Sequence, residues 1–320
     1  MKRILSNKWH IMVFVLPTVL FFSFFVIVPI VLSAYYSLLN WTTKTKPTLE
    51  YFVGFRNYIE MFTGKGTSFP RAVGHSLLYA GASVFLQLPF SLFLALLLAK
   101  GVKAEGFYQN LYFIPVILSS VVVGQLWRKI YNNDYGLLNL FLRAINVETP
   151  KGGWLANKGT RLWATFVPVL WQYVGYHMLL MYGALKSISP DIIEAATVDG
   201  ASGPTMAFHI QIPLIKPMLK VCLSFSLIGS FKLYDMVKIL TDGNIGTEVP
   251  ATTMYREMFK SHNFGTGSAM AMFIVAECLL FTVLLNALFR ERADGRTLRE
   301  RLSGLFRSAP DALPKGADRP

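Results

Sequence analysis

Six long apolar stretches, separated by polar connections, dominate the hydrophobic pattern of this chain. Ile11–Ala34 carries no charged residue over 24 positions, about 36 Å as a helix. Ala72–Ala99 is likewise uncharged, although it holds His75, Gln87 and Pro89. Phe107–Trp127 runs between Glu105 and Arg128, and Leu162–Leu185 between Arg161 and Lys186. Pro217–Leu240 is interrupted by Lys220, Lys232 and Asp235, and Ser268–Phe289 by Glu277 alone. A bilayer core about 30 Å thick needs about 20 apolar residues per helix. Only helices and closed barrels satisfy every backbone group in lipid. The pattern therefore predicts an all-α membrane protein with six transmembrane helices at about 11–34, 72–99, 107–127, 162–185, 217–240 and 268–289. Lys2, Arg3 and Lys8 precede the first stretch as they would in a secretory signal, but the stretch is too long for a signal's apolar region and no small-residue cleavage site follows it. It reads as a retained helix.

The connection from Leu185 to Pro217 has its own legible physics. Ser189 is a natural N-cap, with Pro190 at the first helical position and Asp191 in the first turn. A helix is predicted to about Val198, where Asp199-Gly200 ends it and glycine supplies a left-handed turn. Ser202 can cap a second short helix holding Met206, Phe208 and Ile210, which Pro213 and Pro217 stop. Ala195 and Ala196 allow another surface to approach closely, Ile192 and Ile193 add an apolar face, and Glu194 offers an anion at the centre. Two short helices meeting at a glycine corner have the shape of a lever that docks into a partner's groove.

Composition narrows the class. Hydrophobic residues make up 53% of the 320 and charged residues 15%, against roughly 25% charged in a soluble domain. The net charge of +13 sits in loops and in the C-terminal tail, with no basic stripe interleaved with stacking aromatics. It fits anionic lipid rather than nucleic acid. Three Lys and Arg precede Ile11 and eight follow Phe289, which favours cytoplasmic termini (1–10 and 290–320) and places 186–216 on the same side. In the tail, Leu298, Leu302, Leu305 and Phe306 fall on one helical face among arginines, either a surface-lying helix or a solvated extension of the last span. Cys222 and Cys278 lie inside apolar runs and read as core thiols. No metal-ligand spacing and no nucleophile cluster is found, so neither a metal site nor a catalytic residue is assigned.

Glu194-Ala195-Ala196, Asp199-Gly200-Ala201, Phe208, Ile210, Ile212-Pro213 and Pro217 resemble the EAA loop of bacterial ABC importer permeases. Phe52–Tyr58, Gly136–Asn139, Tyr234-Asp235, Leu240–Gly243 and Thr252–Tyr255 resemble further recurrent pieces of the carbohydrate-uptake branch, near the maltose-type and glycerol-phosphate-type permeases. The resemblance implies a bacterial inner-membrane subunit that pairs with a second permease, an ABC ATPase dimer and an extracytoplasmic solute-binding protein to import a saccharide. It implies coupling roles for Glu194, Ala195, Ala196, Asp199, Gly200 and Pro213, whereas Ile212 stands where the family commonly has leucine. Gly64-Lys65-Gly66-Thr67 lacks phosphate-loop spacing, so no cofactor is expected here and ATP belongs to the partner ATPase.

Candidates for the substrate path come from polar residues within the spans. Glu277 falls near the middle of the sixth, where a charge costs about 2.5–3.5 kcal/mol unless it finds a partner or water. It is expected either to face the cavity, paired with Lys232 or with substrate hydroxyls, or to be a buried packing residue. Gln172, Tyr173 and Tyr176 beside Trp171 and His177, together with Trp127, suit sugar rings and hydroxyls, and equally serve as glue between helices. A secondary transporter using Glu277 as its ion site is the alternative function.

Overall fold

The computed structural model describes residues 8–64, 66–243 and 246–289. Those residues form an all-helical membrane protein in which the only extended pairings are two isolated bridges, Leu39 with Phe52 and Thr42 with Asn263. The helices are α1 (Met12–Ser37), α2 (Arg56–Thr63), α3 (Phe69–Ala99), α4 (Glu105–Ile117), α5 (Ser120–Ile130), α6 (Leu137–Ala144), α7 (Arg161–Lys186), α8 (Pro190–Val198), α9 (Gly203–Leu214), α10 (Lys216–Phe231), α11 (Asp235–Thr241), α12 (Pro250–Tyr255) and α13 (Phe264–Leu288).

Three of these, α1, α3 and α13, are long and apolar enough to cross a bilayer unbroken. The third apolar stretch does not form the single helix expected over 107–127. It folds as α4 and α5, which meet at 97°. Leu118 and Ser119 take extended conformations at the corner, and the Ser119 hydroxyl accepts the Val122 N–H at 3.3 Å to start α5. The fifth stretch also departs from one helix over 217–240: α10 ends at Phe231, and a new helix starts at Asp235. Between α9 and α10 the chain turns by 75° at Ile215, between Pro213 and Pro217. α7 is 26 residues long, about 39 Å, but carries a polar-aromatic stripe that lowers its hydropathy. The tail features at 298–306 lie outside the described residues.

Three in-helix prolines share one device. A π turn at Ser23–Ile27 precedes Pro29, one at Ser83–Gln87 precedes Pro89, and one at Met206–Gln211 precedes Pro213. Proline offers no N–H to the carbonyl four residues back, and its ring crowds that carbonyl. The crowded carbonyl belongs to Phe25, Phe85 or His209, inside the π turn each time, and the wider turn makes room for the ring.

α3 packs along α7, and α4 covers another face of α7. Backbones touch where α4 crosses α7: a Cβ on Gly175 would stand 1.8 Å from the Tyr112 carbonyl oxygen, so only glycine fits. One buried cluster joins Leu94, Ala95 and Leu98 of α3 to Met178, Met181 and Leu185 of α7 and Cys222 of α10. A second joins Tyr79 of α3, Val123 of α5, Phe166 of α7, and Met236 and Leu240 of α11. α13 packs on α1, α2, α10 and α12. The outward faces are apolar instead of polar; in α1, Phe14, Phe21, Phe24 and Phe25 are all exposed. A helix apolar all round is built for lipid or for a neighbouring span.

Candidate substrate cavity and coupling segment

A cavity of about 350 Å³ opens between α3, α7, α10 and the break before α11. Helical periodicity builds its walls. Tyr79, Ser83 and Gln87 repeat every four residues along α3; Gln172, Tyr173, Tyr176 and His177 form one face of α7; Phe225, Ser226, Gly229 and Ser230 form one face of α10. Lys232, Tyr234 and Asp235 come from the non-helical break and its exit, where both charges are exposed.

Buried hydrogen bonds tie these walls together. Ser226 donates to the Ser83 hydroxyl at 2.7 Å, Ser83 donates to the Gln87 side-chain carbonyl, and the Gln87 amide donates to the Leu170 carbonyl at 3.0 Å. The Gln172 amide reaches the Leu118 carbonyl, freed by the α4–α5 corner, at 3.3 Å. Tyr79 donates to the carbonyls of Thr165 and Phe166. The buried His177 lines the cavity with its Nδ1 unpartnered among the described residues.

The structure brings Gln172, Tyr173, Tyr176 and Lys232 to this cavity, and leaves Trp127 and Glu277 off its wall. Trp127 instead sits within an aromatic group, edge-to-face with Trp171 at 5.8 Å and tilted against Tyr131 at 5.2 Å between ring centres. Glu277 is buried on α13, with one carboxylate oxygen unpartnered and no ion pair to Lys232. Lys232 and Asp235 stand on either side of a helix break rather than on one helical face. Sequence reasoning passed over Ser83, Ser226 and Ser230; the available signal was small hydroxyls recurring at helical spacing inside otherwise apolar runs.

A second polar centre was also missed. Glu248 is fully buried, accepts the Gly246 N–H and lies 3.6 Å from the Arg71 guanidinium, while its backbone carbonyl meets His75 Nδ1 at 2.7 Å. It fastens the loop before α12 to the start of α3. Nearby, Lys238 and Lys260 both donate to Asp242 and hold its carboxyl below the usual range.

At the far end of α10 lies the glycine corner. α8 begins after Ser189 and ends at Asp199; Ser189 and Ser202 hold the N-cap positions of their helices, but neither side chain makes the expected capping bond. Gly200 has φ +86°, and the Gly200 and Ala201 N–H groups bond to Thr197 and Ala196 carbonyls at 3.0 and 2.9 Å. This double closure requires a left-handed residue, hence glycine. Glu194, Ala195, Asp199 and Pro213 are exposed, whereas Ala196 is turned into the chain. Val198 and Phe208 are apolar and largely bare. Behind the segment, Ser187, Ile188, Ile192, Leu214, Ile215 and Met218 line a groove joining α7, α8 and α10.

Three helices and a helix break that converge on a cavity lined by polar side chains, with an exposed two-helix corner continuous with one wall, describe a membrane transport subunit. The family of binding-protein-dependent transport system inner membrane components matches residues 84–294, and the chain belongs to it. It is a transport component rather than an enzyme. It is 31% identical to the probable ABC transporter permease protein YurN of Bacillus subtilis, over 89% of this chain and 97% of that protein. It is 30% identical to the osmoprotective compounds uptake permease protein GgtC of Synechocystis, over 88% and 98%, and 28% identical to the trehalose/maltose transport system permease protein MalF of Thermococcus litoralis, over 88% and 93%. A crystal structure of a bacterial alginate ABC transporter in complex with an alginate pentasaccharide-bound periplasmic protein shares the fold, with a TM-score of 0.76 at 22% identity over 89% of this chain and 95% of that one.

Proposed function

We propose that this chain is one of two permeases in an ATP-driven importer and lines the membrane path of a saccharide handed over by an extracytoplasmic binding protein. The observation that carries the reading is continuity: the exposed corner at Gly200 leads through a 75° turn into α10, which forms one wall of the polar cavity. A push on that corner by a closing ATPase dimer reaches the cavity without crossing a flexible linker. Family membership and the sugar-transport names of several relatives support the substrate class.

The proposed topology has six spans: α1, α3, the bent pair α4–α5, α7, α10 with its preceding turn, and α13. Both termini and α8–α9 then face the cytoplasm of a bacterial cell. Glu194, Ala195, Asp199 and Pro213 present the surface to the ATPase, Ala196 supports it from behind and Gly200 sets its angle. Gln172, Tyr173, Tyr176 and Lys232 contact the substrate, and Trp127 stiffens the aromatic group beside them. Glu277, buried away from the cavity, acts in packing or pairs with Lys232 in another conformation of the cycle. The ion-coupled carrier draws no support from a binding-protein-dependent family.

Gentle purification of the tagged chain from native membranes, followed by mass spectrometry, tests the assembly. An ABC ATPase and a second permease in the eluate are expected. Recovery of the intact chain with neither contradicts the proposal.

A further inference from the structure

The chain Ser226–Ser83–Gln87–Leu170 crosses three helices inside the protein, and its three side chains are all buried. Each hydroxyl donates once, and the direction runs from α10, through the π turn of α3, to the backbone of α7. Ser83 and Gln87 are the first and last residues of that π turn, so the side-chain bond between them bridges the extra residue that Pro89 demands. α10 is also the helix joined to the Gly200 corner through the 75° turn. Where water is scarce, a buried amide or hydroxyl that loses its partner must find another. In this site the available partner is whatever occupies the cavity, because Ser83, Gln87 and Ser226 all line it.

We propose that Ser226, Ser83 and Gln87 are positioning residues that transmit movement of α10 to the cavity. With α10 seated, Ser226 holds Ser83, Ser83 holds the Gln87 carbonyl, and the amide is spent on Leu170. When the corner pulls α10 away, the Ser226–Ser83 bond breaks, the π turn loses its brace, and the Gln87 amide turns to the cavity. Binding of the substrate and the position of the corner are thereby linked through one exchange of hydrogen bonds.

The relay rests on the transport reading above, and the test separates the two. The full complex is reconstituted in vesicles, and uptake of a maltodextrin or alginate oligosaccharide is measured alongside ATP hydrolysis, to give saccharide moved per ATP. Ser226→Ala and Ser83→Ala are each expected to lower that ratio roughly two- to tenfold, the factor commanded by one net hydrogen bond. The double variant is expected to fall no further than either single one, and Ser226→Thr, which keeps the hydroxyl, to recover the ratio. A purely structural role would lower uptake and hydrolysis in proportion and leave the ratio unchanged. An unchanged ratio in the alanine variants, or additive losses in the double variant, overturns the relay. Absence of saccharide-stimulated hydrolysis and uptake in the unmodified complex, across both oligosaccharides, overturns the transport reading instead. The relay is then judged by whether Ser226→Ala still lowers the complex's thermal stability without Ser83→Ala adding to it; additive losses there overturn it as well.

Discussion

Glu248 shows how much a single side chain can fasten. It is a carboxylate with no exposed surface whose ionic partner, Arg71, is itself largely exposed. The two ends of the pair should therefore not be equivalent. Glu248→Gln keeps an acceptor for the Gly246 N–H and leaves Arg71 in water, at an expected cost of about 1 kcal/mol. Arg71→Ala strands a buried charge and should cost more, about 3 kcal/mol. Thermal unfolding of the detergent-solubilised protein checks the order, and equal losses would refute it. The sequence hinted at none of this, because Glu248 and Arg71 are distant in the chain and each resembles an ordinary loop charge. Gln172, Tyr173 and Tyr176 stood out because they cluster as polar and aromatic residues within one apolar run, and the structure puts all three on the cavity wall. Glu277 was conspicuous for its cost in lipid, but its surroundings depend on how α13 packs, which spacing along one helix does not reveal.

Among the elements, the segment α8–α9 was the most readable, since local rules govern it: proline at the start, glycine at the turn, proline at the end. Its caps were less so. Ser189 and Ser202 stand where capping residues belong, but their side chains make no capping hydrogen bond. Gly200 is the decisive position. A side chain there meets open space, so steric overlap is not the issue, but φ +86° costs an ordinary residue about 1–2 kcal/mol and is closed to proline. Gly200→Ala should thus weaken transport while Gly200→Pro abolishes coupling, with ATP hydrolysis becoming insensitive to saccharide. A Gly200→Pro complex that retains full stimulation would contradict the lever. The bent pair α4–α5 and the break after Phe231 escaped the hydropathy pattern for a shared reason: apolar runs count residues without direction, and a right-angle corner in an apolar protein is as hydrophobic as a straight span. Pro115 near the first corner and Lys232 at the second break are the local traces such events leave.

For the molecule as a whole, apolar residues face outward along α1, α3 and α13, and polar ones converge inward on the cavity. That inversion of the soluble pattern was plain in the composition. The cavity itself was not, because it is made by α3, α7 and α10 together. In the proposed importer the energy source is external: ATP hydrolysed by a partner would move α8–α9, α10 and then the cavity wall. The decisive measurement is saccharide uptake by cells carrying the complete transporter, with ATP depleted in one arm and the proton gradient collapsed at constant ATP in the other. Uptake should stop with ATP and persist without the gradient. Uptake that survives ATP depletion and disappears with the gradient would contradict the account and make Glu277 the centre of an ion-coupled carrier.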